Sequence, residues 1–127
     1  MKVIIKFALV GGLGFITDIA ILTIMLQLGA GAIYGRVISF SCAVLLTFFL
    51  NRRITFQSIG PIPNQLFSYL SASFIGLLVN WFVYYFGLSF TSAQVSLGIA
   101  SAVAMIFNFV LYRYAVFKTP KQPPPKP

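Results

Sequence analysis

The chain has 127 residues, 59% hydrophobic and only 8% charged, and nine Lys and Arg against one acid give a net charge of +8. So little polar surface cannot cover a soluble core of this size, which excludes an ordinary soluble domain and points to one compact integral membrane domain over 1–118. With no histidine, one carboxylate and one cysteine, the chain lacks the parts for acid–base catalysis, a disulfide or a Cys-rich metal site, so no enzyme, metal or cofactor is expected.

Met1 to Lys6 carries two lysines, and an apolar run follows from Phe7 to about Leu28. Ala30-Gly31-Ala32 offers a small-x-small cleavage pattern, but this run exceeds a signal peptide's apolar region of roughly 7–15 residues and can cross a hydrocarbon core of about 30 Å. A retained helix over 7–28 is therefore expected. Gly29 to Gly35 is a glycine-rich turn. The second helix is expected over 33–50, with Arg36 near its start and Arg52 and Arg53 stopping it. Cys42 lies inside this apolar run, where an inert packing role is expected. Asn51 to Asn64 is a central loop in which Pro61 and Pro63 resist helix, and Asn64 caps a third helix over 65–88. Thr91-Ser92-Ala93-Gln94 reads as a capping box for a fourth helix over 92–112. The remaining segment, 119–127, is mostly proline and is expected as a disordered tail outside the bilayer.

The chain is one unit written twice. Phe48-Phe49-Leu50-Asn51-Arg52-Arg53-Ile54-Thr55-Phe56 aligns with Phe109-Val110-Leu111-Tyr112-Arg113-Tyr114-Ala115-Val116-Phe117, and Gly14 to Asp18 aligns with Gly76 to Asn80. Four spans place both termini on one side, together with the N-terminal lysines, Arg52, Arg53, Arg113 and Lys118. The positive-inside rule makes that side cytoplasmic. The expected fold is all-α, four transmembrane helices as two hairpins in parallel repeat. Charge placed at the ends of apolar runs suits anionic lipids, not nucleic acid. Small-residue pairs at Gly31/Gly35, Ala72/Gly76 and Gly98/Ala102 mark close helix contacts, either within the chain or in a homo-oligomer.

Asp18, the only acid, lies about 18 Å along the first helix from Lys6. A charge at that depth is costly unless paired or wet. Arg36 comes within about 6 Å of it along the axis. An ion pair fixing helix register, a polar path or pocket lined by Asp18, and a protonated, unpaired Asp18 are the open readings. Arg52, Arg53 and Arg113 have forked guanidinium groups suited to a lipid phosphate, beside their plain role in topology. Asn51, Asn80 and Asn108 add polar groups inside or near the spans, as helix–helix hydrogen bonds or sugar ligands. Trp81, Tyr84 and Tyr85 are read as lipid-facing or packing aromatics before sugar-stacking ones.

Phe7-Ala8-Leu9-Val10-Gly11-Gly12-Leu13-Gly14 with Asp18 soon after, Phe49-Leu50-Asn51-Arg52-Arg53-Ile54-Thr55-Phe56, and Asn108 through Arg113 to Val116-Phe117 together resemble the GtrA-like family of small four-helix membrane proteins. The resemblance spans roughly Lys6 to Lys118. It departs at Ile54, where the family often has tryptophan, and at Arg36. It implies a multi-pass protein of the bacterial inner membrane that moves a polyprenyl-phosphate-linked monosaccharide to the outer leaflet for surface glycosylation, between membrane glycosyltransferases that load and use the sugar. On that reading Arg52, Arg53 and Arg113 take the phosphate inside, Arg36 meets it near the outer side, and Asp18 and Asn80 bond sugar hydroxyls in passage. No energy source is needed if the sugar is consumed outside. Two rivals are a scaffold that holds a glycosyltransferase at the membrane and a small cation exporter, the latter poorly matched to a +8 chain with arginine near its acid.

Overall fold

The computed structural model describes residues 2–118. Four helices, α1 (Lys2–Gln27), α2 (Ala32–Leu50), α3 (Ile62–Gly87) and α4 (Ala93–Leu111), follow in order, and short π-helical turns extend α2 over Asn51–Thr55 and α4 over Tyr112–Val116. All four are long and apolar enough to cross a membrane. The expected tail lies outside the described residues. The chain divides into two compact units, the first ending at Gln57 and the second beginning at Ser58. In the first, α1 packs on α2; in the second, α3 packs on α4.

Each hairpin is closed by small residues. Lipid tails are as apolar as leucine, so helices gain by close backbone approach and interhelical hydrogen bonds, not by hiding large apolar groups. Small residues accordingly make up most of the buried positions, Gly14 on α1, Gly35, Ser39 and Ala43 on α2, Ala72 and Gly76 on α3, and Ser96, Ala100 and Ala104 on α4, while the larger buried residues, Phe7, Val10, Phe48, Gln65 and Tyr69, gather toward the arginine-bearing ends. Large side chains such as Phe15, Phe40, Phe67 and Trp81 point outward. Cys42 is exposed as well, so it does not pack inside its hairpin as expected. Of the small-residue pairs, Ala72 and Gly76 are buried and Gly35 meets Leu22 and Met25 of α1, whereas Gly98 faces open space.

The α1–α2 turn is set by Gly29. Its φ of 85° is the left-handed conformation that favours glycine. Gly29 N–H donates to Leu26 and Ala30 N–H to Met25, at 3.1 and 3.0 Å, which closes the helix end in a Schellman motif. In the α3–α4 turn, Ser92 Oγ accepts from the Val95 N–H at 3.4 Å, which makes Ser92 the N-cap of α4.

Several boundaries differ from expectation: α1 begins at Lys2 and not at Phe7, and α4 continues past Tyr112 through Val116. Arg52 and Arg53 do not stop α2; the helix runs on through them as a wider turn, in which the Phe56 N–H donates to the Asn51 carbonyl at 2.8 Å. Arginine is a good helix former, so its charge marks the membrane's edge and not the helix's end. Asn64 does not cap α3. Pro61 is the N-cap residue, and Pro63 sits in the first turn, where a missing N–H leaves no helix bond unmade. Behind this start, Gln65 is buried and its Nε2 donates to Ser58 Oγ at 2.5 Å.

Candidate functional site

Asp18 on α1 and Arg36 on α2 meet inside the first hairpin. Arg36 Nη1 donates to Asp18 Oδ2 at 2.5 Å, with the Asp18 side chain 15% exposed and that of Arg36 55%. Asp18 precedes the end of α1 by nine residues, about 13 Å, while Arg36 follows the start of α2 by four, about 6 Å. Arg36 therefore reaches inward along the span. An arginine so near a helix end would ordinarily extend to the interface. Its Cζ also lies 5.7 Å from the Phe40 ring centroid, a cation–π contact. Beneath it, fully buried Ser39 donates to the Arg36 carbonyl at 3.2 Å. Asp18 Oδ1 is buried and has no hydrogen-bond partner among the described residues.

The second hairpin keeps the polarity of this level and drops its charge. Asn80 stands at the place of Asp18, half-buried, and Leu97 at the place of Arg36. Asn108 packs its amide against Gly76, and its Oδ1 is buried with no hydrogen-bond partner among the described residues. The corresponding contact of the first hairpin is Gly14 against Thr47.

The two π-helical turns carry the other arginines. In the first, Asn51 is buried and its Oδ1 accepts from Thr55 Oγ1 at 2.9 Å, a bond within its own turn. Arg52 is half-buried, and Arg53 is exposed. In the second, the Phe117 N–H donates to the Tyr112 carbonyl at 2.7 Å, and exposed Arg113 lies 5.7 Å from the Tyr114 ring centroid. Each turn delivers an aromatic to the start of the partner helix: Phe56 onto Phe7 at 6.3 Å and Phe117 onto Tyr69 at 6.0 Å between centroids. The wider turn thus holds an arginine outward beside an anchored aromatic, twice.

One buried contact was not foreseen from the sequence, which offers Tyr112 only as an interfacial aromatic. Tyr112 stacks on Tyr69 with centroids 4.3 Å apart, and its hydroxyl is hydrogen-bonded to Ser73. The repeat alignment carries the signal: Tyr69 and Tyr112 stand where the first hairpin has Phe7 and Asn51. A buried hydroxyl at each place calls for a partner.

Residues 6–121 match the family model described as GtrA/DPMS, transmembrane domain. No curated protein matches the chain significantly. The match takes in both hairpins, both arginine-bearing turns and the Asp18–Arg36 pair, and the chain belongs to the GtrA/DPMS transmembrane domain family.

Proposed function

We propose that the protein translocates a polyprenyl-phosphate-linked monosaccharide across the bacterial inner membrane. The observation that carries this reading is the arginine-bearing turn at one end of each hairpin, with polar groups but no net charge deeper in the span. Positive charge at one level suits a phosphate, and uncharged polar groups at another suit a sugar. Arg52 and Arg53 on the first hairpin, and Arg113 on the second, each offer guanidinium groups to a lipid phosphate at the cytoplasmic face. Asp18, Asn80 and Asn108 exchange hydrogen bonds with sugar hydroxyls, which spares them a dry passage. The prenyl chain stays in lipid. Reconstitution into proteoliposomes with a labelled lipid-linked sugar tests this. Arg113→Ala is expected to slow translocation at unchanged folded yield, and an unchanged rate removes its role.

A second reading is a membrane anchor for a glycosyltransferase. It is favoured by an open groove of about 270 Å³ on the second hairpin, lined by Phe67, Ser71 and Ile75 of α3 and by Leu111 and Ala115 near the arginine-bearing end. Such a concavity suits a side chain from a partner's helix. A glycosyltransferase retained in mild detergent by the wild type and lost on Ala115→Phe, with no translocation by the purified protein, is the outcome this reading expects.

A further inference from the structure

We propose that the Asp18–Arg36 pair selects an uncharged, hydroxyl-rich sugar over amino sugars and uronic acids. The inference rests on the translocation reading and deepens it. It begins with where charge is placed. The nine cations are Lys2, Lys6, Arg36, Arg52, Arg53, Arg113, Lys118, Lys121 and Lys126, and the one anion is Asp18. Arg36 and Asp18 cancel each other through their 2.5 Å contact. The whole net charge of +8 therefore belongs to the other basic residues. The equivalent positions in the second hairpin, Asn80 and Leu97, are neutral.

The pair nonetheless keeps hydrogen-bonding capacity. Oδ2 of Asp18 is taken by Arg36, while Oδ1 is buried, without a hydrogen-bond partner among the described residues, and closed to a ligand as the side chains stand. A guanidinium has five N–H donors, and only Nη1 of Arg36 reaches Asp18. The Arg36 side chain is 55% exposed against 15% for that of Asp18, so its other donors are the accessible part of the pair. Donors whose charge is already cancelled suit the hydroxyl and ring oxygens of a sugar, which accept hydrogen bonds and bring no charge. A phosphate needs an uncompensated cation, and here Asp18 cancels it. An ammonium group would meet Arg36 beside its partner, and a carboxylate would meet Asp18. Each loses by like-charge repulsion much of what it gains. Arg36 accordingly leaves the phosphate-binding set that the sequence suggests and joins the sugar-reading one.

The test uses the full-length protein and three short-chain polyprenyl-phosphate lipids carrying glucose, glucosamine or glucuronic acid. Binding is read by thermal shift in detergent and translocation in proteoliposomes. The wild type is expected to favour the glucose lipid by about tenfold or more. Asp18→Asn leaves Arg36 unpaired and shifts preference toward the glucuronic acid lipid. Arg36→Gln leaves Asp18 unpaired and shifts it toward the glucosamine lipid. The double variant is neutral again and returns the preference to glucose. A wild type that ranks the three equally, or single variants that keep its ranking, overturns the inference. Translocation without the charge pattern leaves the flippase reading standing; binding that follows the pattern without translocation overturns the flippase reading alone. Neither binding nor translocation overturns both. If a single variant does not fold, the wild type's ranking still decides.

Discussion

Gly14 of α1 lies flush against Thr47 of α2, so closely that a methyl group on Gly14 would stand well inside van der Waals distance of Thr47 Cγ2. Thr47 is β-branched and stiff, and its hydroxyl already donates to the Val44 carbonyl at 3.0 Å. Gly14→Ala should therefore destabilise the first hairpin by about 1–3 kcal/mol through overpacking. Unfolding by SDS titration in mixed micelles measures it, and Thr47→Ser should recover part of the loss by removing the obstructing methyl.

Gly76 meets Asn108 in the same manner, but there the obstacle is the far end of a side chain. Gly76→Ala should cost less in an Asn108→Ala background than alone. A double-mutant cycle on the same titration should give a coupling of about 1 kcal/mol. Additive effects would mean that Asn108 swings aside freely.

Removing one member of the Asp18–Arg36 pair leaves a charge in the span, while removing both leaves none. Arg36→Leu should therefore lower folded yield more than the Asp18→Leu/Arg36→Leu double variant does. The ordering follows from the cost of an uncompensated charge, which exceeds the net worth of the pair. Size-exclusion recovery after detergent extraction checks it.

Phe117 is 2% exposed and touches both Tyr69 and Tyr112. In lipid the transfer term largely vanishes, and the cavity term remains at about 24 cal/mol per Å³. A void near 100 Å³ makes Phe117→Ala cost about 2 kcal/mol. Half-buried Phe56 should cost less when changed to Ala. Tyr112→Phe forfeits the bond to Ser73, about 0.6 kcal/mol for an average bond in a membrane interior.

The hairpins were legible in the sequence because their physics is local. Apolar length gives the spans, and Gly29 and Ser92 give turn chemistry that the structure contains. Counting rise per residue put Arg36 within reach of Asp18 and made their ion pair one of the open readings, and the structure contains that contact. The π-helical turns were not legible. Whether Phe56 N–H bonds to the carbonyl of Asn51 or of Arg52 depends on seating Phe56 on Phe7, a contact between distant residues. The arginines beside it disguised the turn as a helix end. Pro63 misled for a related reason: proline breaks a helix interior but suits its first turn, and periodicity alone does not tell the two apart.

The contact between Asp18 and Arg36 also has a consequence for how the chain enters a bilayer. During synthesis α1 emerges first, and an acid near the centre of a lone span costs about 2.5–3.5 kcal/mol on insertion. Its counter-ion arrives only with the next segment. The insertion machinery thus gains by retaining the first span until the second is beside it, and the two partition into lipid as a neutral pair. With Asn80 in place of an acid, the later spans meet no such delay.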